Sequence, residues 1–219
     1  MKIHMEQEIL QENEDQARMN HEIFGNTLVL NLIGSPGCGK TTILEKTLDA
    51  LAGEFRIGVI EGDIYTAKDA ERIEKKNIPV VQCNTAGGCH LSAGITAKAA
   101  EDLPLADLDI LFIENVGNLV CPAEFDLGED AKIAVLSTVE GDDKPAKYPL
   151  LFQEAKAVIL NKWDLMPYTN FDGDSAEHDI SALNGDAPII RMTAASGEGI
   201  ERWLEWIRVQ AAAKREQDS

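Results

Sequence analysis

The stretch GSPGCGKT, Gly34 to Thr41, spaces its glycines, lysine and threonine as G-x-x-x-x-G-K-[ST], a pattern whose chemistry is phosphate binding. Gly34, Gly37 and Gly39 let backbone N–H groups close around a β-phosphate. The Lys40 ammonium neutralises charge shared by the β- and γ-phosphates, and the Thr41 hydroxyl offers a ligand to Mg²⁺. Cys38 fills a free position as a small side chain, and it and Thr42 are counted among the nucleotide-contacting residues. A second pattern, Asn161, Lys162 and Asp164 in VILNKWD, decides the base. A carboxylate at the last position accepts two hydrogen bonds from guanine, at N1–H and the N2 amine, whereas adenine offers neither donor. A site that would bury that carboxylate unpaired rejects the wrong base. GTP and GDP are the expected ligands. Further on, TAASGEG fits a loop whose backbone N–H reaches the guanine oxygen, through Ala194 or Ala195.

Hydrolysis needs a carboxylate near Mg²⁺ and a group that orients water. LDILFIENVGNL supplies Glu114 at a strand end, followed at the right distance by Gly117, whose amide can sense a γ-phosphate. No Gln or His follows that glycine, so slow intrinsic turnover is expected. Asp63, at the end of RIGVIEGD, is the remaining candidate for the Mg²⁺ shell or for orienting water, and a helix N-cap is its equally simple alternative. Asp69 and Arg72 read as a solvated i,i+3 pair on the helix that follows.

A third constellation is Cys89 and His90 in NTAGGCHLSAG with Cys121 in ENVGNLVCP. Two thiolates and an imidazole suit Ni²⁺ or Zn²⁺, and three ligands leave a shell for something else to complete. From spacing alone, a small buried residue, a helix-terminal histidine and a loop thiol explain them equally well. The chain has four cysteines and no export signal, so the thiols are expected to stay reduced, and metal binding competes with plain burial. Cys83, ending IPVVQC, is expected to be buried.

These residues need a scaffold that brings distant loops together. The 219 residues, 44% hydrophobic, suffice for one domain with a real core. The formal charge of −18 creates a field that repels phosphate backbones and speaks against nucleic acid as a partner. No apolar run approaches the roughly 18 residues of a membrane span, and the polar, acidic start MKIHMEQEIL does not read as a signal peptide, so a cytoplasmic protein is expected. Residues 1–24 predict one exposed or loosely docked helical arm, ahead of a nucleotide-binding domain over 25–219. From Thr27, seven short apolar runs (TLVLNLI, RIGVIEGD, IPVVQC, LDILFIENV, KIAVLST, KAVILNK, APIIRM) alternate with amphipathic stretches. Continuous runs imply strands covered on both faces. The expected fold is α/β, a three-layer P-loop NTPase fold with a mainly parallel sheet, helices on both faces and ligands at the C-terminal strand ends.

In that order, NLIGSPGCGKTT, EGDIYTAKDAERI, NTAGGCHL, IENVGNLVCP, EGDDKPAKYP and NKWDL resemble the HypB group, the nickel-incorporation GTPases of hydrogenase maturation. The group lies in a dimerising class with the urease accessory and signal recognition particle GTPases, and the resemblance covers residues 25 to 212. It implies a GTP-dependent homodimer that holds Ni²⁺ or Zn²⁺ at Cys89, His90 and Cys121 where two subunits meet. Nickel would then pass towards a hydrogenase large-subunit precursor through a small nickel-binding accessory protein. Cys121 lies on the segment that follows Glu114, so the metal is expected to be tied to the nucleotide switch. Leu165, Met166, Tyr168 and Phe171 are candidate interface residues, with burial inside one subunit as the alternative. A urease-type accessory GTPase would be expected to carry Cys-Pro-His, whereas here His90 follows Cys89 directly. A nucleotide-regulated docking module with structural zinc is the third reading. The leader has no cysteine and only His4 and His21, so a further nickel site there is not expected.

Overall fold

The computed structural model describes residues 2–63, 73, 74, 76–85 and 87–217, with the side chains of 2–7, 63 and 217 outside the description. The Asp69–Arg72 pair and the Asp63 carboxylate therefore lie outside the described residues, as does most of the helix expected over AKDAERIEKK. The described elements run α1 (Lys2–Phe24), β1 (Leu28–Gly34), α2 (Lys40–Leu51), β2 (Ile57–Asp63), β3 (Val80–Asn84), α3 (Ala93–Ala100), β4 (Ile110–Glu114) and α4 (Cys121–Glu124). They continue through β5 (Ala131–Ser137), α5 (Lys144–Lys147), α6 (Pro149–Glu154), β6 (Ala157–Asn161), α7 (Gly173–Leu183), β7 (Ile189–Arg191) and α8 (Ile200–Gln217).

The seven apolar runs form one seven-stranded sheet in the order β3-β2-β4-β1-β5-β6-β7, with every described pairing parallel. Side chains alternate between its faces. Leu28, Leu30 and Leu32 of β1 pack with Leu44 and Leu48 of α2 and with Trp203, Leu204 and Ile207 of α8. On the other face Val29 meets Phe24 of α1 and Ala99 of α3, and Ile33 meets Leu151 and Phe152 of α6. All seven residues of β1 are buried, which is why the run does not alternate; its one polar side chain, Asn31, donates to Glu129 Oε1. A fully buried Leu or Ile contributes about 1.5–3 kcal/mol, so this two-sided core fixes the scaffold and leaves the strand ends free to vary. Trp203 is fully buried, and its indole N–H donates to Thr47 Oγ1 at 2.9 Å, locking α8 onto α2, the helix that begins at Lys40.

Two elements differ from the sequence expectation. The arm α1 is docked along its C-terminal half, on the stripe Asn13, Ala17, Asn20 and Phe24, while Ile9, Met19 and Ile23 face solvent. Its grip is polar: Asn20 Nδ2 donates to the carbonyls of Ala93 (2.8 Å) and Leu127 (2.9 Å). Asn13 donates to the Asp126 carbonyl (2.7 Å) and accepts from the Ala93 N–H (2.8 Å). Helix α7 had no counterpart in the apolar pattern, because it buries only Ala176 and Ile180; Asp172 caps it by accepting from the Ser175 N–H at 3.0 Å.

The loop under α1 comes close at Gly128. Its φ is +89°, and a Cβ there would lie 2.7 Å from the Ala17 carbonyl oxygen and 2.7 Å from Asn20 Cβ. Gly128→Ala should therefore cost about 1–3 kcal/mol, from left-handed strain and overlap with backbone. The loss should appear as earlier proteolysis and faster hydrogen exchange in α1, with the sheet unaffected. Unchanged protection of α1 would contradict this packing.

Candidate nucleotide site and metal centre

Strands β1, β2, β4, β5 and β6 end along one edge of the sheet, and the candidate residues gather there. The chain leaves β1 at Gly34, turns through Gly37 (φ +76°) and Gly39 (φ +104°), and enters α2 at Lys40. The free N–H groups and positive end of α2 thus face the turn, as an anion requires. Gly39 has no side-chain alternative, because a Cβ would fall 2.3 Å from Asn161 Nδ2. The buried Lys40 ammonium donates to the carbonyls of Gly34 (3.1 Å) and Ser35 (3.5 Å), bracing the loop. Cys38 is fully buried and its thiol is pushed up to about 11, chiefly by burial, which leaves it neutral and inert.

The loop borders a cavity of about 470 Å³, a size suited to a nucleotide's phosphates, lined by Gly37, Lys40, Thr41, Glu61, Glu114 and Gly117 among others. Thr41 Oγ1 donates to Glu114 Oε1 at 2.8 Å, tying the first turn of α2 to the end of β4. Glu61 was not singled out in the sequence. It stands directly across from Glu114 in the register of β2 and β4, and both are almost wholly buried. Two carboxylates held this close and this deep are costly unless they meet a cation. With the Thr41 hydroxyl they form the hard oxygen set that Mg²⁺ prefers, so the donor chemistry fits that ion. The signal was a charged residue inside an otherwise apolar strand, one position inside the Gly62-Asp63 end that drew the reading.

The NKWD segment is knitted to the phosphate loop. Asn161 Nδ2 donates to the Cys38 carbonyl (2.8 Å), and its Oδ1 accepts from the Ala194 N–H (3.0 Å). Lys162, in left-handed backbone at φ +56°, reaches the Gly37 carbonyl with Nζ at 2.7 Å. The Asp164 N–H donates to Thr193 Oγ1 at 3.2 Å, and its side chain is exposed at the start of a 3-10 turn over Trp163–Tyr168. Lys162 and Thr42 therefore line the cavity, Asn161 ties the loop to the Ala194 backbone, and Asp164 is an exposed carboxylate two residues beyond Lys162. Since the Ala194 amide serves Asn161, the exposed Ala195 amide is the better placed of the two for a base. Of the four apolar residues that follow, Leu165 and Tyr168 are exposed, Met166 packs against the core, and Phe171 is buried in it. Phe171 is thus a core residue and not surface, because the chain turns inward there to start α7.

Cys89 and His90 follow β3, and Cys121 heads α4 after β4. The strand order β3-β2-β4 brings the two loops together at the same sheet edge. Cys89 Sγ lies 3.0 Å from Cys121 Sγ and 3.5 Å from His90 Nδ1, and all three ligand atoms fall within 4.8 Å of one another. Cys89 is exposed and the other two half-buried. Burial holds the His90 imidazole below its usual range, partly offset by Glu124, which favours the neutral, ligating form. The Cys121 thiol is raised, first by its hydrogen bond with Cys89 and then by burial, so its proton must leave when a metal enters. His90 stacks on Phe125 at 3.9 Å between ring centroids, fixing the imidazole plane. Cys83 is buried in β3 and raised to about 11 by burial, apart from the cluster.

Residues 28–191 match the family described as CobW/HypB/UreG, nucleotide-binding domain. Hydrogenase maturation factor HypB of Escherichia coli (strain K12) is 49% identical over 213 residues, 96% of this chain and 73% of that protein. Among solved structures, HypB from Helicobacter pylori in complex with nickel superposes with a TM-score of 0.87 at 38% identity, over 94% of this chain and 96% of that one. Hydrogenase maturation factor HypB from Archaeoglobus fulgidus does so with a TM-score of 0.86 at 34% identity, over 92% and 99%. No described helix is long and apolar enough to cross a membrane. From its phosphate loop to its Cys-His-Cys cluster, the chain belongs to the CobW/HypB/UreG family and, within it, to the HypB group.

Proposed function

We propose that this chain is a GTP-hydrolysing metallochaperone that carries nickel, with zinc as a competing ion, into [NiFe]-hydrogenase maturation in the cytoplasm. The observation that carries the reading is the convergence of Cys89, His90 and Cys121 on loops that leave the same strand ends as the nucleotide cavity. GTP sits with its phosphates on the Gly34–Thr41 turn and its base against Asp164 and Ala195. Thr41, Glu61 and Glu114, with Asp63 as a further candidate, would hold Mg²⁺, which when bound would neutralise charge on the phosphates. Lys40 exchanges the loop carbonyls for phosphate oxygens, and the Gly117 amide reports whether a γ-phosphate is present.

Among the described residues the cargo site has three donors from one chain and lies at the surface, which favours an open cargo shell over the closed four-ligand shell of structural zinc. A second copy meeting it about a two-fold axis completes the shell, GTP favours that dimer, and hydrolysis releases the ion. The recipients are a small nickel-binding accessory protein and a hydrogenase large-subunit precursor. We take residues 1–24 as an arm and 25–219 as the nucleotide-binding domain.

Sedimentation of wild type and Cys121→Ala with a GTP analogue, with and without Ni²⁺, tests this. Wild type should form dimers holding about one ion each, with metal and nucleotide strengthening one another by the same factor, as linkage demands. Cys121→Ala should lose tight metal binding and the metal-dependent part of dimerisation. Identical behaviour of the two proteins in all four conditions would reject the link between Cys121, metal and nucleotide.

A further inference from the structure

The segment that leaves β4 faces the nucleotide cavity on one side and the metal loop on the other, and two asparagines in it hold that loop. Asn115 is almost completely buried. Its Oδ1 accepts from the Leu91 N–H at 3.1 Å and from the Val116 N–H at 3.0 Å, and its Nδ2 donates to Asn31 Oδ1 at 3.2 Å. Asn31, inside β1, donates in turn to Glu129 Oε1 at 3.0 Å. Asn118, half-exposed, donates from Nδ2 to the Cys89 carbonyl at 3.3 Å, accepts at Oδ1 from the Val120 N–H at 3.0 Å, and forms a backbone bridge with Gly34.

The two atoms gripped on the metal loop, the Cys89 carbonyl and the Leu91 N–H, belong to the peptide groups on either side of His90. We propose that Asn115 and Asn118 form a two-point clamp on His90, through which the nucleotide-facing segment 114–118 sets the position of the metal ligands. The inference rests on the reading above, that one chain binds both nucleotide and nickel, and it assigns the residues that join the two sites. Buried amides keep their place only when their hydrogen bonds are made, so a displacement near Gly117 either carries the His90 peptides along or breaks bonds that have no water to replace them. Asn118 adds a direct tie, since its backbone is bridged to the phosphate loop while its side chain holds Cys89. The same segment runs on to Cys121 and to Phe125 under the His90 ring. All three ligands therefore hang from one stretch of chain, which gives the coupling a contiguous physical route. Both asparagines are positioning residues; neither belongs to the ligand cluster.

The test titrates Ni²⁺ into the full chain by calorimetry, once with Mg²⁺ and GDP and once with Mg²⁺ and a non-hydrolysable GTP analogue, and reads the ratio of the two dissociation constants. Wild type should give a ratio of about fivefold or more. Asn118→Ala should bring the ratio at least halfway to one on a logarithmic scale. Asn115→Ala should bring it to about one, and Asn115→Asp, which keeps the acceptor for Leu91 and Val116, should restore part of it. Thermal melts run alongside, because a purely structural role lowers the melting temperature and leaves the ratio alone; if Asn115→Ala does not fold, Asn118→Ala decides. A wild-type ratio that Asn118→Ala retains in full overturns the clamp and spares the reading beneath it. A wild-type ratio of one overturns both.

Discussion

Asp164→Asn should weaken GTP binding by at least about a hundredfold while xanthosine triphosphate binding improves. In the proposed site the carboxylate accepts from two guanine donors, and hydrogen bonds to a charged acceptor are worth about 1.5–3 kcal/mol each. The amide that replaces it keeps one acceptor for N1–H and turns its N–H group towards the guanine amine, so one bond is lost and a donor–donor clash appears. Xanthine carries an oxygen where guanine has its amine, which matches the new donor. The substitution leaves the pocket wall intact, because the wall is tied by other atoms: Asn161 spans Cys38 and Ala194, Lys162 reaches Gly37, and Asp164 is anchored by its backbone N–H to Thr193. Displacement of a fluorescent GDP analogue by GTP and by xanthosine triphosphate reads both affinities. A variant that keeps wild-type GTP affinity would remove Asp164 from base recognition.

Physical reasons separate what the sequence revealed from what it concealed. The strands were legible because burial on both faces leaves mostly apolar residues, as in Leu28–Gly34 with Asn31 its one polar side chain, and the phosphate turn was legible because its spacing is set by backbone geometry. The docking of α1 was concealed because it is made by Asn13 and Asn20, polar residues that only a full set of partners makes welcome in an interior, while Ile9, Met19 and Ile23 point outward. Helix α7 was concealed by the narrowness of its buried face. Glu61 was passed over for Asp63, although only Glu61 has Glu114 across from it in the register of β2 and β4. The proximity of Cys89 and Cys121 is a property of strand order: β2 and β4 lie side by side although β3 falls between them in the chain. Residue types suggested a metal cluster, but only the topology brings the atoms within reach.

Lys40→Ala should lower the hydrolysis rate by about a thousandfold or more, from a wild-type rate that is itself slow, on the order of 10⁻⁴ to 10⁻² s⁻¹. The slow base rate follows from Gly117, which is followed by Asn118 and not by a residue that positions water, and Asn118 is already engaged with the Cys89 carbonyl and the Val120 N–H. What remains for catalysis is charge stabilisation, and the buried Lys40 ammonium is a cation fixed within the phosphate turn, braced by Gly34 and Ser35. Removing it strips a positive charge from a cavity that already holds two carboxylates, Glu61 and Glu114, so the developing negative charge on the phosphates meets a more negative field. The loop itself should survive, because the Cys38 carbonyl stays pinned by Asn161 and the Gly37 carbonyl by Lys162, and circular dichroism melts can verify this. Lys40→Arg keeps the charge but not the compact fit and should fall between the two proteins. Single-turnover release of phosphate from γ-labelled GTP at saturating protein separates the chemical step from binding. Wild-type single-turnover rates in Lys40→Ala would remove the lysine from the chemistry, and a wild type that turns over at tens per second would mean that another group orients the attacking water.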